Sequence, residues 1–67
     1  MNYNTPIFIR LNNAGVEGMI NVHDINGIVP YTDEITHVYM RYREDPVDVS
    51  ESYEEIKKKL LNVAIVL

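Results

Sequence analysis

A catalytic or metal site in this chain would have to be assembled from two histidines, two serines and several clustered carboxylates. His23, followed by Asp24, and His37 are the only imidazoles. A two-histidine metal centre needs both to converge with a carboxylate, yet each falls on a strand-like segment and reads as a surface or rim position. No cysteine is present, which removes thiolate ligands, a thiol nucleophile and every disulfide. Ser50 and Ser52 stand just ahead of a helix-like segment, where capping accounts for a hydroxyl and a serine triad has no support. Glu44-Asp45 lies in a turn, and Glu51, Glu54 and Glu55 belong to the same helix start, so no pair of carboxylates is set aside for acid–base work. Asn12 to Gly18 contains two glycines without the spacing of a phosphate-binding loop. The expectation is a non-catalytic chain with no metal and no cofactor.

Aromatic and cationic residues are more suggestive. Tyr39, Arg41, Tyr42 and Arg43 interleave on one segment, a combination that stacks on bases or ligands and is also enriched at protein interfaces. Ten acidic residues against six basic ones give a net charge of −4, which argues against affinity driven by phosphate neutralisation. Lys57, Lys58 and Lys59 read as a solvated helix face. Tyr39, Arg41 and Arg43 are therefore taken first as interface candidates.

The elements that would position these residues follow from pattern. Ile7 to Leu11 reads as a strand after Pro6, and Asn12, Asn13, Ala14 and Gly15 as a turn, because Asn and Gly tolerate left-handed backbone. Val16 to Val22 then pairs back as a hairpin. Asn26-Gly27 is a hairpin-turn signal, but the arms beside it are short, and Ile25, Asn26, Gly27, Ile28 and Val29 read by preference as one bent strand with a bulge at Gly27, ended or placed at a sheet edge by Pro30. Ile35 to Arg43 is the clearest strand: Thr36, Val38, Met40 and Tyr42 alternate onto a core face, with Ile35, His37, Tyr39, Arg41 and Arg43 opposite. After a turn at Glu44-Asp45-Pro46, Val47 to Val49 forms a short returning strand.

Ser52 with Glu55 three residues later has the form of a capping box. Acidic residues precede Lys57, Lys58 and Lys59 in the order the helix dipole favours. Ile56, Leu60 and Val63, flanked by Tyr53 and Ala64, make an apolar stripe at helical spacing. The fold class is α+β: a small antiparallel sheet of four to five short strands, followed by one C-terminal helix packed on one face, in a single domain over residues 1–67.

A chain of 67 residues has a small core and gains from external help; without cysteine, self-association is the help that remains. Val63 to Leu67 is wholly apolar, so Ile65, Val66 and Leu67 are expected to be covered, by preference in a homodimer or larger assembly. Absence of cysteine points to a reducing compartment, the cytoplasm. Residues 1–11 do not read as a signal peptide, and no apolar run reaches membrane-spanning length.

Ile9-Arg10-Leu11-Asn12, Ile20-Asn21-Val22 to Ile25, Thr36 to Met40, and Val49-Ser50-Glu51-Ser52-Tyr53-Glu54-Glu55-Ile56 resemble the short bacterial flagellar proteins of the FlbD/SwrD type. The resemblance spans most of the chain and implies a small bacterial or phage protein of sheet-plus-helix design. A fainter similarity, strands followed by a helix containing Glu-Glu-Ile, connects the chain to the carbon storage regulators, which are RNA-binding dimers. The functional expectation is a homo-oligomeric interaction module that binds an unidentified partner protein. The alternatives are an RNA- or small-ligand-binding regulator that uses the Tyr39 to Arg43 segment, and a phage-encoded inhibitor of a host enzyme.

Overall fold

The structure is a computed structural model and describes residues 6–63. Its first reversal is tight. β1 (Phe8–Asn13) and β2 (Val16–Asn21) pair antiparallel from Asn13 opposite Val16 to Phe8 opposite Asn21. Only Ala14 and Gly15 are left to turn the chain, narrower than the four-residue turn the sequence implies. Both have positive φ, 51° and 87°, as a two-residue hairpin turn of matching twist requires. Glycine adopts this freely, whereas alanine does so at a cost of roughly 1 kcal/mol. Ala14→Asn, which restores the favoured Asn-Gly turn, is expected to raise stability by about 0.5–1 kcal/mol in urea unfolding.

β2 ends one residue earlier than the sequence pattern suggests. Val22–Asp24 forms a single 3₁₀ turn in which the Asn21 side chain accepts a hydrogen bond from the His23 amide. β3 (Ile25–Pro30) then runs antiparallel to β4 (Thr36–Met40), with the anticipated bulge between Ile25 and Gly27. Pro30 closes the strand. β5 (Val47–Val49) pairs with the start of β4, Thr36 opposite Val49.

The α+β class holds, with five short antiparallel strands and one C-terminal helix among the described residues, and two expectations about β4 are corrected. The strand read as Ile35 to Arg43 stops at Met40, because Ile25 opposite Met40 is the last rung that β3 offers and β5 reaches only as far as Val38. Arg41 and Arg43 therefore lie in the turn after β4 and not on the strand. Tyr42, placed on the core face by extending the alternation, is 68% exposed in that turn. The strands also divide into two sheets, β1-β2 and β3-β4-β5, since the 3₁₀ turn redirects the chain between β2 and β3.

The two sheets are joined where β1 meets the end of β5. The Ser50 amide donates to the Asn12 carbonyl at 2.6 Å, the Ala14 amide to Ser50 Oγ at 2.8 Å, and the Asn12 amide to Glu51 Oε2 at 2.8 Å. Above them lies α1 (Tyr53–Asn62), which begins with a complete capping box between Ser52 and Glu55. Its fully buried Ile56 contributes to one core with Ile9, Leu11, Val22, Val38, Met40 and Val49. Leu60 and Val63 pack against that core from the same helical stripe. Thr36, the buried polar residue among them, donates its hydroxyl to the Glu51 carbonyl at 2.8 Å. No helix among the described residues is long and apolar enough to cross a membrane.

Candidate functional site

The residues that suggested chemistry are engaged in holding the fold. Ser50 Oγ accepts from Ala14, and Ser52 caps the helix by accepting from the Glu55 amide at 3.2 Å. Glu51 has a side chain only 13% exposed; one carboxylate oxygen receives the Asn12 amide and the other sits 2.6 Å from Lys59 Nζ. Lys59 also donates to the Arg10 carbonyl at 2.6 Å. Ser50, Glu51 and Lys59 line a polar groove of about 570 Å³ between β1 and α1, bordered by Arg10, Glu17 and Glu55. Arg10 and Glu17 face each other at its exposed rim, 3.6 Å apart. The Lys59 bonds to Glu51 and to the Arg10 carbonyl tie the helix to the hairpin across this groove.

His23 and His37 lie on different elements and do not converge; among the described residues no three of His, Asp and Glu are grouped to hold a metal ion. His37 instead stacks on Tyr31, ring centroids 4.4 Å apart at 15°, and its Nε2 lies 3.2 Å from Asp48 Oδ1.

Arg41 is tied to the 3₁₀ turn. Its backbone amide donates to the Asp24 carbonyl and its guanidinium to the His23 carbonyl, both at 2.7 Å, with Nε 3.6 Å from Asp24 Oδ1. Arg43 Nε donates to the Asp45 carbonyl at 2.9 Å. Both guanidiniums donate to loop carbonyls, and both residues lie past the end of the strand that carries Tyr39. Ile65, Val66 and Leu67, the other expected interface residues, lie outside the described residues.

Tyr39 does sit where expected, on the face of β4 opposite the core. Cross-strand register places Gly27 beside it, Val29 beside His37, and Asp48 on the far side of His37. With no side chain at Gly27, one flank of the Tyr39 ring has no cross-strand neighbour. Tyr31, 66% exposed, extends the surface by its stack on His37. Val29, Tyr31, His37 and Tyr39 thus form a contiguous apolar and aromatic ledge, with Asp33, Glu34 and Asp48 as nearby acidic positions. Tyr31 and Val29 were missed from sequence as members of this surface. The available signal was the strand pair itself, because a bulge at Gly27 sets which β3 residues share the Tyr39 face.

No family model, curated protein or solved structure matches the chain.

Proposed function

We propose that this chain is a small non-catalytic interaction module that binds a partner protein through the Val29, Tyr31, His37 and Tyr39 ledge. The supporting observation is that this face of β3-β4-β5 carries two tyrosines and a stacked histidine outside the core, a composition enriched at protein interfaces. β4 holds Tyr39 and His37, and the stack on His37 holds Tyr31, so little side-chain freedom is lost on contact. The acidic positions around the ledge, with a net charge of −4, favour a partner segment whose apolar residues are flanked by lysine or arginine. Catalytic readings gain no support from serines and carboxylates that already serve as caps and braces. An inhibitor that occludes a host enzyme would use the same surface and the same physics.

The alternative, an RNA- or small-ligand-binding regulator, needs Tyr39, Arg41, Tyr42 and Arg43 presented together on one strand. Arg41 and Arg43 are instead bonded to loop carbonyls, and the tyrosine face is bordered by acidic residues, which repel a phosphate backbone.

The test is a paired capture experiment from the lysate of the native host, using the wild-type chain and a Tyr31→Ser, Tyr39→Ser variant. Both rings are outside the core, so the variant is expected to keep the wild-type circular dichroism spectrum and unfolding midpoint. Proteins retained by the wild type and lost with the variant support the reading. Identical captured sets, with the variant folded, rule out this face.

A further inference from the structure

Among the described residues, the sheets of this protein have one edge that nothing guards. At β1 the outward groups are covered: Asn12 bonds to Ser50 and Glu51, and the Arg10 carbonyl to Lys59. At β3 the free edge is interrupted by the bulge between Ile25 and Gly27 and by Pro30, which has no amide hydrogen. β5 is three residues long and ends in the junction with β1. β2 has six residues in unbroken register with β1, no charge except Glu17 and, among the described residues, no strand on its far side. An exposed edge of this kind is a template for another strand.

The direction of its backbone groups follows from bonds already described. Asn12 sends both its amide and its carbonyl away from β2, so Asn12 opposite Glu17 is a non-hydrogen-bonded pair. Pairs alternate along an antiparallel ladder, so Arg10 opposite Met19 is another, consistent with the Arg10 carbonyl accepting from Lys59. Glu17 and Met19 therefore point their amides and carbonyls outward from the free edge.

We propose that two copies of this chain pair antiparallel through β2, with Met19 facing Met19 of the second copy across a two-fold axis. This rests on the interaction-module reading and supplies its self-association with a surface. In this register Met19 exchanges both backbone hydrogen bonds with its counterpart, and the Asn21 amide of each copy donates to the Glu17 carbonyl of the other. The result is a four-stranded sheet, β1-β2-β2-β1.

Three features make the strand complementary to itself. Glu17 faces Asn21 of the second copy; the Asn21 Oδ1 is already used by the His23 amide, which leaves the side-chain NH₂ to donate to the Glu17 carboxylate. The two Glu17 residues lie about 13 Å apart along the paired strands, beyond the ~8 Å screening length at physiological ionic strength, and each has Arg10 of its own copy nearby. On the opposite face Gly18 meets Ile20 of the second copy. A Cβ at Gly18 would touch nothing within 4 Å, and an apolar groove of about 200 Å³ beside it, lined by Leu11, Val16, Ile20, Val47 and Val49, takes the incoming side chain. Met19, 60% exposed in the single chain, becomes the centre of the contact.

The experiment is sedimentation equilibrium across a concentration series reaching high micromolar, on the wild type, Met19→Glu, Met19→Lys and an equimolar mixture of the two variants. The wild type is expected at twice its 7.8 kDa mass, each variant alone at once that mass because like charges face each other on the axis, and the mixture at twice again. Circular dichroism on each variant confirms the fold, since the Met19 side chain lies on an exposed face. A monomeric wild type overturns the proposal, as does a wild-type dimer that persists in both single variants. In the second case self-association proceeds through another surface. Met19→Glu retains the Tyr31 and Tyr39 ledge, so loss of dimerisation with partner capture intact separates this inference from the interaction reading, and loss of capture in the Tyr31→Ser, Tyr39→Ser variant with dimerisation intact does the converse.

Discussion

Replacing Ile56 with alanine is expected to remove about 3 kcal/mol of stability, within the 2–5 kcal/mol typical of buried isoleucine truncations. A domain of this length has roughly 3–10 kcal/mol in total, so the variant loses from about a third to all of that margin. The reason is geometric. Ile56 is fully buried on the core side of the helix, and β1 and β3, from the two separate sheets, both lie against α1. Deleting it opens a cavity that neither sheet can collapse into without breaking contact with the other. Urea unfolding followed by circular dichroism reads the effect. Leu61→Ala, five residues along the helix at an exposed position, serves as the control and should change stability by less than about 0.5 kcal/mol. An Ile56→Ala loss as small as the control's would mean that the helix does not dock as described.

Glu51→Ala is the second large effect, expected at about 2–3 kcal/mol. Glu51 joins three elements: its carbonyl takes the buried Thr36 hydroxyl, one carboxylate oxygen takes the Asn12 amide, and the other holds Lys59. Truncation leaves a β1 amide without its acceptor and a partly buried ammonium without its counter-ion. Glu51→Gln keeps an acceptor for Asn12 and should lose about half as much. A double-mutant cycle with Lys59→Met separates the ion pair from the brace; a coupling near 1 kcal/mol is expected, because Lys59 is partly exposed and water screens the pair. A coupling near zero would assign the whole loss to the Asn12 bond.

What the sequence makes legible is whatever repeats locally. Thr36, Val38 and Met40 alternate inward as their pattern requires, and Ser52 with Glu55 marks the helix start through a box that depends on four consecutive residues. The bulge at Gly27 is legible too, since the arms on either side are too short for a hairpin. Other features depend on partners far along the chain. Tyr42 continues the alternation of β4 perfectly well on paper, but a strand ends where its neighbour ends, and β3 begins only at Ile25. The charge of Glu51 is accounted for by the helix dipole, while its bond to Asn12, 39 residues away, leaves no local trace. Division into two sheets follows from the 3₁₀ turn after Asn21, a departure of one residue from a strand pattern that otherwise continues. At the candidate surface, Tyr39 was legible through alternation, but Tyr31 lies beyond Pro30 in a connection where no period assigns a face.

The seam between Asn12 and the Ser50-Glu51 segment bears on how the chain reaches its fold in time. Each hairpin and the capped helix involve neighbours in sequence and form on the microsecond scale. The seam and the Lys59 contact close loops of 36 to 49 residues, and such closures set the rate in small domains rich in non-local pairing. The folding barrier is therefore expected to lie at this closure. Glu51→Gln would then slow refolding more than it speeds unfolding, as a stopped-flow chevron would report. A nascent chain would hold its preformed hairpins, with the β2 edge already available for pairing, until residues as late as Lys59 arrive to close the seam.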